Sequence, residues 1–216
     1  MAKILSMSRR PNSIIGLMSG SVGDQVWCIL NGKNYVRRKP TRVSKAKTEK
    51  QLDHSAKFGL MVGFLKVLTP FIRIGFKSQS GKMSAFNAAM AYNLRNAIAG
   101  AYPDYSIDYS NVILSMGALP EALNPGAVSN SAGQITFNWD DNRNAMANDR
   151  ALLVVFNPAK QQAETIAYGN SRTEGSQTMI LPEDFSGDEV QCYMAFENVS
   201  HSVVSNSRYV GSLVVA

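Results

Sequence analysis

Gln25-Val26-Trp27-Cys28-Ile29-Leu30-Asn31-Gly32-Lys33-Asn34-Tyr35-Val36-Arg37-Arg38 reads as two strands and the turn between them. The first six residues form a β-branched and aromatic run, Asn31-Gly32 supplies the two positive-φ positions of a type I′ turn, and the last six return. A basic arm follows. Seven of the fourteen residues 37–50 are cationic: Arg37, Arg38, Lys39, Arg42, Lys45, Lys47 and Lys50. That density cannot sit in a core, where each charge would need a buried partner, so the arm is exposed.

Upstream, Ser19-Gly20-Ser21-Val22-Gly23-Asp24 reads as a flexible glycine-rich lead into the hairpin. It is not a phosphate loop, because no Lys-Ser/Thr follows at the required spacing; the segment 75–82 fails too, with Met83 where a hydroxyl residue is needed. Downstream, Thr48-Glu49-Lys50-Gln51 has the form of a capping box, which predicts a helix start. Leu52, Ala56, Leu60, Phe64 and Leu68 recur every four residues beside Met61, Leu65 and Val67, giving one broad apolar face that Pro70 should kink or end. Residues 58–76 are long enough to span a bilayer, but Lys66, Arg73 and Pro70 inside them argue for a buried or intersubunit helix.

A second helix is expected where Phe86, Met90, Leu94 and Ile98 repeat at i+4, capped by Ser84 and ended near Gly100. The two helices are expected to form a hairpin, each covering the other's apolar stripe, with Met83 and Met90 filling gaps in the core. From Pro103 the period changes to alternation. Seven strands are expected, at 111–115, 134–139, 151–156, 164–168, 177–181, 190–196 and 209–215, which is the immunoglobulin-like pattern. The expected fold is therefore α+β: a basic β-hairpin plus helical hairpin over 1–102, then an acidic seven-stranded Ig-like β-sandwich over 103–216.

Charge follows the same division. Residues 1–100 hold 17 Lys and Arg against three acids, a net of +14, and residues 101–216 hold five against 13, a net of −8. Such asymmetry points the first half toward a polyanion or an acidic protein surface, including the second half of another copy. Cys28 and Cys192 stand alone and read as two unrelated buried thiols. The apolar run near the N-terminus, Ile14-Ile15-Gly16-Leu17-Met18, is shorter than a signal peptide requires, so a cytoplasmic or virion-associated location is expected.

The C-terminal strands, with Trp139 ending one of them and Leu181-Pro182 preceding the alternating Val190, Cys192, Met194 and Phe196, resemble a fibronectin type III or related Ig-like module. Tyr193 has the opposite parity, which speaks against a tyrosine-corner role for it. Gly20-Ser21-Val22-Gly23, Asn31-Gly32-Lys33, Val36-Arg37, Lys47-Thr48 with Gln51, Lys57-Phe58 and Ser106-Ile107-Asp108-Tyr109-Ser110 resemble a domain-of-unknown-function family common in Bacteroidetes. That resemblance covers nearly the whole chain and implies no activity. The basic hairpin followed by a Lys-Thr-x-x-Gln helix is also similar to small phage-borne or mobile-element proteins.

No catalytic constellation is legible. The two histidines, His54 and His201, lie one in each half, no carboxylate pair with catalytic spacing and no metal cluster occurs, the acids Asp140-Asp141 and Asp188-Glu189 read as solvated turn residues, and Ser44-x-x-Lys47 falls inside the charged arm. The expected function is a non-enzymatic structural or assembly protein, without cofactor, metal or small-molecule substrate, that self-associates or docks through its basic N-terminal half. The alternative is nucleic-acid binding. In either case the contact residues are Trp27, Tyr35, Arg37, Arg38, Lys39, Arg42, Lys45, Lys47 and Lys50, the aromatics offering stacking faces and the cations meeting phosphates or acids.

Overall fold

The computed structural model describes residues 8–9, 18–30, 32–41, 46–79, 81, 83–141 and 145–216. The chain separates into two compact units, Met1–Lys47 and Thr48–Ala216. The boundary lies at 47/48 and not at 102/103, because the helices belong with the second unit's core.

The first unit is a four-stranded antiparallel sheet. Its strands are β1 (Ser8–Arg9), β2 (Gly20–Val22), β3 (Gln25–Leu30) and β4 (Lys33–Arg38), in the order β1-β4-β3-β2. The expected hairpin is present, with Gln25 opposite Arg38 and Leu30 opposite Lys33. Gly32 has φ 71°, as the turn requires, and Asn31 lies outside the described residues. The glycine-rich lead is itself an edge strand, pairing Gly20 with Trp27 and Val22 with Gln25 and turning at Gly23 (φ 60°). An edge strand needs only its backbone groups, so small residues suffice and leave no alternation to read.

In the second unit, α1 (Glu49–Val67) begins at the expected capping box: the Thr48 hydroxyl accepts from the Gln51 N–H, and the Thr48 N–H donates to Gln51 Oε1. After Leu68 the chain turns by 86° into α2 (Thr69–Gly75), with Pro70 in the first turn, where its missing N–H would have had no intrahelical partner. Among the described residues no single helix is long and apolar enough to cross a membrane. Met61, Phe64, Leu65, Leu68, Phe71, Ile72 and Phe76 are all buried. The expected stripe is therefore shifted: its first half is not core, since Leu52 is exposed and Ala56 and Leu60 only half-buried.

Helix α3 (Ala85–Asn96) is capped by Ser84, whose Oγ accepts from the Asn87 N–H. It stops before Ile98. Ile98 and Gly100 instead lie in β5 (Ile98–Ala101), which pairs with β6 (Asp104–Ile107) around the cis Tyr102–Pro103 peptide. Gly100 does adopt a positive φ of 88°, but for the hairpin and not as a helix cap; a side chain there would strike the Asp104 carbonyl. Met83 is exposed, whereas Met90 is core as expected.

Seven further strands follow: β7 (Leu123–Ser131), β8 (Gln134–Asp140), β9 (Arg150–Asn157), β10 (Gln162–Ile166), β11 (Ser176–Ile180), β12 (Glu189–Glu197) and β13 (Arg208–Val214). They form two antiparallel sheets, β11-β8-β7 and β10-β9-β12-β13. Ile135, Phe137, Trp139 and Met179 from the first sheet share a core with Ala151, Leu153, Val155, Val190, Cys192, Met194 and Phe196 from the second, which makes a β-sandwich. The alternate residues Leu152, Val154, Phe156, Tyr193 and Ala195 face the other way, into a second core with the helices. Phe64 meets Phe156 edge-on at 4.8 Å between ring centres. The helices thus cover the outer face of the four-stranded sheet as well as each other, and β9 is apolar from Ala151 to Phe156 because both its faces are covered. Tyr193 lies on the helix side, as its parity predicts, and donates its hydroxyl to the Tyr109 carbonyl at 2.8 Å.

The expected strand at 111–115 is absent. Val112, Leu114 and Ser115 are buried, but side chains satisfy their backbone: Ile113 N–H donates to Asn93 Oδ1 and Leu114 N–H to Ser207 Oγ. Strand β7, rich in Asn, Pro, Gly and Ser, takes its place in the sandwich with two register shifts against β8. One charged pair is fully buried within the sandwich. Arg172 donates Nε to Asp149 Oδ2 at 3.1 Å and its other nitrogens to the carbonyls of Pro120 and Glu121, with its guanidinium 3.7 Å from the centre of the Phe196 ring.

Candidate functional site

The sheet of the first unit carries most of the expected contact residues, and its register decides which of them act together. Residues directly opposite on paired strands share a face. Tyr35 lies opposite Cys28 and Arg37 opposite Val26, so Lys33, Tyr35 and Arg37 form a stripe on one face. Trp27 lies opposite Val36 and Arg38 opposite Gln25, on the other face. The two aromatics therefore do not build one stacking platform. Arg37, Arg38, Lys39 and Lys47 are exposed, with Arg38 Nε 3.4 Å from Asp24 Oδ2 in an equally exposed ion pair. Arg42 and Lys45 lie outside the described residues. Lys50 is exposed in the first turn of α1 and so belongs to the second unit.

Apolar groups share this surface. Val22, Ile29 and Leu30 are 70%, 42% and 54% exposed, and Val26, Trp27, Cys28, Tyr35 and Val36 are half-buried. Among residues 18–30, 32–41 and 46–47 only Asn34 is buried; its Oδ1 accepts from the Met18 N–H at 3.0 Å.

Two of the second unit's concavities lie where composition and periodicity give no hint of them. One, about 420 Å3, runs between α1 and α3 and is lined by His54, Phe58, Phe86, Met90, Leu94 and Arg95. The other, about 490 Å3, is lined by Arg73, Ile74, Lys77, Tyr168, Glu197 and His201. In it, His201 Nδ1 is 3.0 Å from the buried Glu197 Oε2. The only sequence signal for this pair is its i,i+4 spacing, which lies across a turn and carries no helical meaning. No group of three His, Cys, Asp or Glu among the described residues is placed to hold a metal ion.

Among solved structures, the fibronectin type III domain of the human collagen alpha-1(XX) chain is similar at 10% identity and a TM-score of 0.36, over 46% of this chain and 87% of that one. No curated protein matches. Residues 17–211, spanning both the first unit's hairpin and the sandwich, match a family of unknown function, DUF6266, and the chain belongs to that family.

Proposed function

We propose that the chain is a non-enzymatic structural or assembly protein that docks through its basic N-terminal unit, and that the partner surface is the acidic, immunoglobulin-like second unit of another copy. One observation carries this reading: the first unit exposes Val22, Ile29 and Leu30 beside a row of cations while burying a single described side chain. A sheet this small is marginal unless one face is covered, and exposed apolar groups rimmed by charge mark contact surfaces. Charge supplies the direction. Residues 1–47 carry ten cations and one acid, and residues 48–216 carry twelve cations and fifteen acids.

Light scattering on the full chain over a range of concentrations and salt tests this. Mass rising with concentration and falling with salt is expected, and Arg37→Glu with Arg38→Glu should abolish the rise. A monomer at every concentration in low salt overturns the proposal.

The stripe of Lys33, Tyr35 and Arg37 favours a second reading, binding of single-stranded nucleic acid with Tyr35 as the stacking face. Gel shift with random DNA and RNA at low salt separates the two. In this reading Tyr35→Ala weakens binding and Trp27→Ala, on the opposite face, does not.

A further inference from the structure

We propose that the first unit of one copy docks on one end of the sandwich of the next, the end built by the turn between β11 and β12 and the close of β13, so that copies join head to tail. This rests on the docking reading above and names its acceptor surface. Residues 183–189 carry four acids, Glu183, Asp184, Asp188 and Glu189, and no cation, the densest run of acids in the chain. Exposed apolar groups stand beside them. Ile180, 78% exposed and the most open large apolar side chain among the described residues, leads into the run, and Val214, 60% exposed, lies directly opposite Glu189 in the β12–β13 ladder. Directly opposite residues share a face, so Glu189 and Val214 project together.

The surface is fixed in place. Phe185 in the turn is fully buried, the Leu181 N–H donates to the Gly133 carbonyl, the Gly187 N–H to the Val215 carbonyl and the Val215 N–H to the Asp188 carbonyl. A surface already ordered loses little conformational freedom when a partner arrives. Part of its charge is unmatched. Lys160 bonds Asp188 Oδ2 at 2.7 Å and stands 3.7 Å from Asp184 Oδ2, whereas Glu183 and Glu189 are exposed and form no ion pair with a described residue. Several other acids of this unit are met where they stand, Glu121 by Arg208, Asp149 by Arg172 and Glu174 by Arg150.

The two surfaces are counterparts. On the first unit Val22, Ile29 and Leu30 are exposed beside Arg37, Arg38 and Lys39; on the acceptor Ile180 and Val214 are exposed beside Glu183 and Glu189. Apolar contact supplies the attraction as water leaves, and opposite charge around it sets the register and refuses a like-charged partner. Two basic units facing each other, or two acidic ends, bring like charges together, so a symmetric contact through either surface alone is disfavoured. A contact between unlike surfaces leaves one of each unused on the pair. Growth then continues until a ring of two copies or more closes, or an open chain extends.

Light scattering at low ionic strength compares three full-length chains: the unaltered one, Arg37→Glu with Arg38→Glu, and Glu183→Lys with Glu189→Lys. The unaltered chain should associate, and each variant alone should stay monomeric with an unchanged melting temperature. An equimolar mixture of the two variants should form dimers and nothing larger, because the first supplies only a working acidic end and the second only a working basic unit. Glu183→Gln with Glu189→Gln, which takes charge away without adding any, should weaken association about fivefold, and it carries the test where charge reversal unfolds the sandwich. An unaltered chain that stays monomeric overturns the docking reading itself. Association that the changes at 183 and 189 leave as strong as before, or a mixture of the two variants that stays monomeric, overturns this inference alone.

Discussion

The two units of this chain solve the problem of burying apolar groups in opposite ways. In the second unit the four-stranded sheet is covered on both sides, so that β9 is buried from Ala151 to Asn157 and β12 from Val190 to Glu197. In the first unit a sheet with the same number of strands buries only Asn34 across β2, β3 and the described residues of their turn and β4. Strand chemistry does not explain the difference, since Gln25–Leu30 is as β-branched and aromatic as many core strands. What differs is cover. Three helices lie over one sheet, whereas the other carries cations along a strand of its central hairpin and apolar groups on both faces, which is the composition of a surface that meets something else.

The sharpest test of this contrast is truncation of one aromatic in each unit. Phe156→Ala removes a ring packed against Phe64 and Tyr109 and should lower the unfolding free energy of the second unit by about 3–5 kcal/mol in urea titrations. Trp27→Ala should leave that transition within about 0.5 kcal/mol, as substitutions outside a core do. Comparable effects would mean that the units do not unfold separately.

A somewhat smaller loss is expected for Arg172→Met, which strands the buried Asp149 carboxylate and should cost about 3 kcal/mol. Adding Asp149→Leu should restore most of it, because the apolar pair no longer leaves a charge unmatched. Without that recovery, Arg172 acts through the carbonyls of Pro120 and Glu121 and not through the ion pair. At the boundary itself, Thr48→Ala should cost about 1 kcal/mol by opening the capping box, read in the second unit's transition alone.

The finest comparison uses the two thiols, one in each unit. Cys28 is half-buried and should react with a thiol reagent on mixing, whereas Cys192 should react only as the second unit unfolds. Burial pushes the Cys192 thiol up to about 12 from its ordinary 9.0. The sign follows: the buried neutral thiol stabilises the fold fully below pH 9.0, and that contribution is lost as pH rises toward 12. Cys192→Ser should alter the alkaline limb of a stability profile.

Much of this organisation was legible in the residues. Asn31-Gly32 placed the hairpin, Thr48 with Gln51 placed the helix start, and the alternation of Ile135, Phe137 and Trp139 placed a sandwich strand. The failures have a common cause. Apolar periodicity marks which face will be buried but not everything that will cover it, so the helices were paired only with each other, although they also cover the sheet face of Leu152, Val154 and Phe156. The segment 111–115 looks like a strand because its side chains are buried, yet Asn93 and Ser207, far away in sequence, satisfy its backbone. Strand β7 escaped because Asn124 and Pro125 are turn-forming residues, which here sit in an irregularity between the Leu123 and Gly126 pairings with β8. The concavity lined by Arg73, Tyr168 and His201 was invisible for the same reason, its residues being drawn from three separate stretches of chain.

A sheet roofed on both sides has no flat surface left to lend. Strand-mediated recognition in the second unit is left to the rims along β10 and β13 and to the outward side of β7, β8 and β11, where Thr136 and Thr178 stand bonded at 3.0 Å near the exposed Ile180. Any partner that grips this unit by its strands must extend it sideways or settle on its thinner wall.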